Sequence, residues 1–221
     1  MNLKLNIGEG AGGEVFQSVA DVTLPEGVKA IVTPRQTHTA NVRIVTSPDQ
    51  SFPETDALIT QLHGIALGVR TADCVPVILH SPDIHAVAAI HAGWKGTVGR
   101  IVMNTIHEMI GLGAAPEKMY AAIGPCICGE CYEVSEELAQ TFENAGLKDA
   151  VIRGSAKNTK PHIDLVEANR LILIESSVRA ENIHSCGICT LHSKNETIYP
   201  SWRREPGTTT RLLTTARLKY E

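Results

Sequence analysis

Aromatic side chains are scarce in this 221-residue chain, at 4% of the sequence. A row of stacking rings for single-stranded nucleic acid is therefore not expected, and the core must be built from Val, Ile, Leu and Ala. A basic excess is also missing. The 20 Lys and Arg stand against 24 Asp and Glu, a formal net charge of -4, so no basic excess is available to neutralise a phosphate backbone, and no nucleic-acid partner is expected. No stretch approaches the roughly 18 apolar residues of a membrane span, and the opening MNLKLNIGEG carries no apolar targeting segment. The expected state is a soluble cytoplasmic protein without a membrane partner. Internal repeats, low-complexity segments and like-charge blocks are absent too, so residues 1–221 read as a single domain.

What is present is aliphatic: 43% of the residues are hydrophobic and 20% charged, enough to bury a sizeable core. Short strand-like runs recur at 28–32, 42–45, 57–60, 65–69, 75–79, 86–90 and 119–123, several of them continuous apolar strings of the kind covered on both faces. After His91 the period changes. Val98, Val102, Thr105, Ile106 and Met109 predict one helix of about four turns, stopped at Gly111. Further helices are predicted over 136–145, capped by Ser135, and over 165–177, capped by Asp164. These elements indicate an α+β (α/β-like) single domain with mixed β-sheets flanked by helices.

The composition holds six cysteines and nine histidines. Three strings place a metal-capable side chain where a strand gives way to a turn or helix: Arg35-Gln36-Thr37-His38, Thr71-Ala72-Asp73-Cys74 and His91-Ala92-Gly93-Trp94. His38, Cys74 and His91 would supply two imidazoles and a thiolate, a donor set that suits a zinc ion with one open position. Their spacing matches no compact zinc signature, and a buried inert Cys74 is an equal reading on spacing alone. A second stock of thiols lies in Cys126-Ile127-Cys128-Gly129-Glu130-Cys131 and Cys186-Gly187-Ile188-Cys189. These five thiols read most simply as small packing residues. A structural zinc site or a redox pair is the alternative, and Thr190 onward reads as another strand. The seven remaining histidines take surface or locally bonded roles by default, and His162 is the first choice for an acid–base partner.

The strings Gln36-Thr37-His38, Arg70-Thr71-Ala72-Asp73-Cys74-Val75-Pro76, His91-Ala92-Gly93-Trp94-Lys95-Gly96, Gly124-Pro125-Cys126-Ile127, Cys131-Tyr132-Glu133-Val134 and Trp202-Arg203-Arg204 with Arg211 resemble the YfiH/laccase-domain-containing family, in the family's order. The resemblance implies a zinc-binding purine nucleoside enzyme acting by phosphorolysis of adenosine, inosine and methylthioadenosine, with adenosine deamination. It maps the metal triad onto His38, Cys74 and His91. The family's older label, a copper-dependent polyphenol oxidase, keeps copper as the alternative metal. The implied small-molecule partners are a purine nucleoside and phosphate. It also implies a longer N-terminal segment in most members, so residues 1–25 look like a shortened version of it.

Zinc with an open position lowers the pKa of a bound water toward about 7, which would serve deamination. Asp73 and His162 are the candidate proton-handling groups. Phosphorolysis needs an anion pocket. Gly93 to Thr97, with Lys95, could form it at the head of the predicted long helix, or could be only a tight turn. Arg70, Arg203, Arg204 and Arg211 are the other substrate or phosphate ligands. Trp94 and Trp202 are expected in the core, with a purine-facing role as the alternative. Three rival functions stand beside this one: a copper phenol oxidase, a metal-free cysteine hydrolase using Cys74 and His91, and a nucleotide-binding regulatory module with a structural metal.

Overall fold

The structure is a computed structural model that describes residues 3–16, 24, 27–154, 159–192 and 198–219. Among these residues the strands are β1 (Leu3–Leu5), β2 (Ala11–Phe16), β3 (Ala30–Val32), β4 (Val42–Val45), β5 (Ala57–Thr60), β6 (Ile65–Thr71), β7 (Val75–Ser81), β8 (Ala86–Ala92), β9 (Tyr120–Ile123), β10 (Val151–Ile152), β11 (His162–Ile163), β12 (Ile183–Ser185) and β13 (Leu212–Leu218). The helices are α1 (Trp94–Val98), α2 (Ile101–Gly111), α3 (Glu136–Asn144) and α4 (Leu165–Glu175).

The strands form a five-stranded sheet, β1-β2-β13-β6-β3, a six-stranded sheet, β12-β9-β7-β8-β5-β4, and a β10-β11 ribbon. Both large sheets are mixed: β3·β6, β4·β5 and β12·β9 run parallel among otherwise antiparallel neighbours. The six-stranded sheet is the middle layer. Val77 and Leu79 of β7 and Ala88 and Ile90 of β8 pack with the helices, against Ile101, Ile106 and Phe142. Ile78 and Val87, on the other face, pack against Leu67, Val69 and Ala216 of the five-stranded sheet. Burial on both faces explains why β7 and β8 are almost unbroken apolar strings. This is the expected α+β architecture with mixed sheets and flanking helices.

Local signals hold at two helix starts. The Ser135 side chain accepts a hydrogen bond from Leu138 N, and Asp164 accepts one from Glu167 N, each satisfying a free donor of the first turn. The long helix after His91 differs from its prediction. It is interrupted at Gly99 and Arg100, where Arg100 has φ 61, so α2 begins only at Ile101. A Cβ on Gly99 would stand 3.0 Å from Ala40 Cβ, and Arg100 is held outward by Ala145 O at 2.6 Å and Glu175 at 2.8 Å. Among the described residues, 190–192 do not form the strand predicted from Thr190. After a single bridge between Cys126 and Cys189, in which Thr190 N donates to Cys126 O, the chain bends, and the Thr190 hydroxyl and carbonyl bond to the side chains of Asp73 and Arg204. The expectation for residues 1–25 falls partly outside the described residues; within them, residues 3–5 and 11–16 form the β1–β2 edge of the five-stranded sheet.

Ile78 is 0% exposed between the two sheets, whereas Ile174 on α4 is 38% exposed. Ile78→Ala is expected to lower the unfolding free energy by about 3 kcal/mol and Ile174→Ala by less than about 0.5 kcal/mol, read by urea denaturation. Equal losses would contradict the placement of the inter-sheet core.

Candidate metal centre

Three segments bring the predicted donors together. The turn between β6 and β7, with Asp73 at φ 84, delivers Cys74 to the start of β7. The pairing of β7 with β8 sets Val75 opposite Ala92 and Pro76 opposite His91, so the thiol lies beside the end of β8. His38 approaches from the loop between β3 and β4, itself in the left-handed region at φ 61. The ligand atoms of His38, Cys74 and His91 all lie within 4.8 Å of one another, and the two imidazoles meet edge to face at 4.8 Å. Gly93 permits this approach, since a Cβ there would stand 3.0 Å from Cys74 Sγ and 3.2 Å from His38 Cδ2.

The residue that organises these donors is Asp56, which the sequence reading missed. It is 0% exposed at the entrance to β5. Its carboxylate accepts from the backbone N–H groups of Thr37 at 3.2 Å, His38 at 3.0 Å and Thr39 at 2.7 Å, and from the Thr39 hydroxyl at 2.7 Å. His91 Nδ1 donates to Asp56 Oδ1 at 2.7 Å, which leaves Nε2 as the nitrogen free to bind a metal. A single carboxylate thus shapes the loop carrying one imidazole and fixes the tautomer of the other.

The charges follow from these contacts. Burial works to raise the pKa of Asp56, but the hydrogen bonds from His91 and Thr39 outweigh it and hold the carboxyl at about 2. Burial likewise opposes ionisation of Cys74, yet its hydrogen bonds with His38 and His91 pull the thiol down to about 6. For His91, burial disfavours the charged ring, and the hydrogen bonds with Asp56 and Cys74 overcome it, raising the pKa to about 9. Without a metal the site is a thiolate held among imidazoles. Such a donor set fits a zinc or copper ion, and exposed His38 leaves one side open toward solvent.

The other predicted residues divide. Asp73 has both carboxylate oxygens occupied, one by the Thr190 hydroxyl at 2.6 Å and one by Arg203 N at 2.7 Å, so it ties the Cys74 turn to two distant segments. The Arg203 guanidinium donates to Glu133 O and lies 5.3 Å over the Tyr132 ring. Tyr132 belongs to the site as well: burial, then the neighbouring Cys74 charge, pushes its hydroxyl up to about 12. Arg70 is exposed and clamped at its backbone by Gln36, whose amide donates to Arg70 O and accepts from Arg70 N. Arg204 donates to the carbonyls of Thr190, Leu191 and Tyr199, and Arg211 to those of Thr208 and Thr210. Those two guanidiniums are engaged with the backbone.

Lys95 is exposed, with its ammonium 5.5 Å over the Trp94 ring. It sits on the five-residue α1, so the anion pocket expected at the head of a long helix has no long helix behind it. His162 lies in β11, bridged to Glu133. Trp94 packs partly buried against the helical core, whereas Trp202 is 50% exposed with Arg211 over its ring, outside the core where it was expected.

Comparison with known proteins places the chain in a family. A family model described as multi-copper polyphenol oxidoreductase laccase matches residues 4–219. "Adenosine deaminase RL5" from an unknown prokaryotic organism is 41% identical over 171 residues, covering 72% of this chain and 65% of that protein. A "Purine nucleoside phosphorylase" of Deinococcus radiodurans is 42% identical over 171 residues, covering 77% of this chain and 64% of that protein. The chain therefore spans just under two thirds of the length of these two relatives. Among solved structures, the Bacillus licheniformis hypothetical protein YfiH superposes with a TM-score of 0.78 at 28% identity, over 86% of this chain and 74% of that one. The Neisseria meningitidis protein NMB0706 superposes with a TM-score of 0.82 at 23% identity over 99% of each chain, a likeness of fold.

Two outcomes are expected. In metal-stripped protein, alkylation of Cys74 followed by mass spectrometry should rise through a midpoint near pH 6, because the thiolate is the reactive form, and His91→Ala should move that midpoint upward. A midpoint that stays near 9 in the native sequence would contradict the ion pair. Asp56→Ala should weaken metal binding by about 10–100-fold and destabilise the fold by about 3 kcal/mol, measured by chelator competition and by denaturation.

Proposed function

The chain belongs to the family described as multi-copper polyphenol oxidoreductase laccase, and on that premise we propose that it is a zinc-dependent purine nucleoside enzyme built as one domain. The reaction is phosphorolysis of adenosine, inosine and methylthioadenosine to the free base and the sugar 1-phosphate, with hydrolytic deamination of adenosine as a second activity. Relatives named purine nucleoside phosphorylase and adenosine deaminase support this reading. The observation that carries it is the convergence of two imidazoles and a thiolate at strand ends, backed by a buried carboxylate and exposed on the His38 side. Free thiols throughout the described chain suit a reducing cytoplasm.

His38, Cys74 and His91 are the residues that hold the ion. Zinc is favoured over copper because one thiolate, two imidazoles and an open position form a catalytic zinc set, while the paired His-x-His strings of a multicopper centre are absent from the sequence. When bound, zinc supplies Lewis-acid polarisation of an oxygen at the reacting centre. The remaining work belongs to the protein. In phosphorolysis a phosphate oxygen bonds to the anomeric carbon of the ribose while the bond from that carbon to N9 of the base breaks. The base leaves with the electron pair and takes a proton at N7.

Arg203, its backbone held by Asp73 and its guanidinium over Tyr132, is the cation for phosphate, and exposed Arg70 and Lys95 add positive charge. Arg204 and Arg211 act by holding the segment that carries Arg203. His162 is the proton donor to the departing base. In deamination water adds at C6 of adenine and ammonia leaves. A metal-free hydrolase would use the same Asp56–His91–Cys74 relay with Cys74 as nucleophile, but it gives no role to the third donor, His38.

Purified protein should release hypoxanthine from inosine only when phosphate is present, with ribose 1-phosphate formed in equal amount by chromatography. His38→Ala should lower kcat/KM by about a thousandfold, the several kcal/mol of a lost Lewis acid. Release that survives both complete chelation and His38→Ala would sink the zinc mechanism, and oxidation of a phenol without nucleoside turnover would favour the copper reading.

A further inference from the structure

A second group of donors lies outside the site described above. The ligand atoms of Cys128, Cys131, Cys189 and His192 all fall within 4.8 Å of one another. Four ligands around one zinc stand about 3.8 Å apart when the zinc–sulfur bond is about 2.3 Å, so four donors this close can surround a single ion. The donors come as a Cys-x-x-Cys pair and a Cys-x-x-His pair from two segments distant in sequence. Their backbones are already joined: Cys126 N donates to Ile188 O at 3.2 Å, and Thr190 N donates to Cys126 O at 2.9 Å. Cys128 opens a tight turn over Gly129–Cys131, in which Cys131 N donates to Cys128 O at 3.1 Å, and this folds the two thiols of the first pair toward each other. Cys131 Sγ lies 3.0 Å from His192 Nδ1, and Cys128 N donates to Cys189 Sγ at 3.4 Å.

We propose that Cys128, Cys131, Cys189 and His192 form a second metal site, a structural Cys3His zinc centre that is separate from the His38, Cys74 and His91 triad. Three thiolates and one imidazole leave no open position, so the ion would clamp rather than catalyse. Binding takes up the three sulfurs as thiolates, with their protons released to solvent. This favours the structural-zinc alternative over packing for three of these cysteines: Cys128 and Cys131 are half-buried, and Cys131 Sγ meets an imidazole. The clamp would order the wall of the first site. From its Cys189–His192 arm, the Thr190 hydroxyl reaches Asp73 beside Cys74, and the Thr190 and Leu191 carbonyls hold Arg204. From its other arm, Tyr132 directly follows Cys131 and supports Arg203. The second centre does not depend on the activity assigned to the first.

The test counts metal in the full chain, expressed with zinc and analysed by plasma mass spectrometry and native mass spectrometry. The native sequence should carry two zinc ions, and a His38→Ala/Cys74→Ser variant should keep one. Replacing zinc by cobalt in that variant should give the thiolate-to-cobalt charge-transfer absorption of a Cys3His tetrahedral site. His192→Ala, at an exposed position, should yield its second zinc to a competing chelator at least about tenfold more readily than the native sequence, with the fold unchanged by circular dichroism. A folded His38→Ala/Cys74→Ser variant that holds no zinc would overturn the second site. So would a disulfide among Cys128, Cys131 and Cys189 in protein purified under reducing, zinc-replete conditions. Loss of nucleoside turnover with both metal counts as expected would count against the proposed function alone.

Discussion

A carboxylate with no access to solvent is the constraint around which the first centre is built. Asp56 sits at the mouth of a fully buried strand, and a buried charge is tolerable only when its oxygens are bonded. Here they are bonded to the loop carrying His38 and to the ring of His91. The need to satisfy one charge therefore dictates a loop conformation, including the left-handed His38 and the tautomer of His91. The thiolate of Cys74 extends the same chain of charge to the point where a cation would sit. Fold and chemistry meet in this relay. The middle sheet supplies β5, β7 and β8 at fixed register, and the relay converts that register into donor geometry.

The two Cys/His groups differ in the number of donors they bring together. Three donors with an exposed imidazole leave room for a reacting molecule, whereas four converging donors leave none. Asp73 connects them. Its backbone turn presents Cys74 to one centre, its carboxylate receives Thr190 from the loop of the other, and Arg203 N completes its bonding. An acidic residue beside Cys74 invites a catalytic reading, yet its occupied oxygens suit it to positioning. Arg204 makes the same point, since its charge is spent on carbonyls of the bend at Thr190 and Leu191.

The sequence made some of this legible and hid the rest for physical reasons. Strands β5 to β8 could be read because burial on both faces writes continuous apolar strings. β2, with its paired glycines, and β13, with Thr214 and Thr215, carry no such string; they exist through pairing between the two ends of the chain. The break at Arg100 was hidden because the apolar period runs through it, and tertiary anchors at Ala145 and Glu175 override the helical register. His38, Cys74 and His91 were found through their surrounding strings, but Asp56 was not. Its role arises from the pairing of β5 with β8, and its only local sign is an acid placed directly before a buried run. His192 reads from the sequence as a surface or locally bonded histidine; its spacing from Cys189 is visible there, and only the fold shows which other thiols it meets.

The proposed chemistry requires that His38, Cys74 and His91 hold one metal ion. Diffraction data collected at the zinc absorption edge from crystals of the purified protein test this most directly. The predicted result is an anomalous peak bonded to Cys74 Sγ, His91 Nε2 and a ring nitrogen of His38, at about 2.3 Å from the sulfur and about 2.0 Å from the nitrogens, with Asp56 still on His91 Nδ1. A crystal grown with zinc that shows no density between these three side chains, or a peak ligated by Asp56 in place of His91, would contradict it.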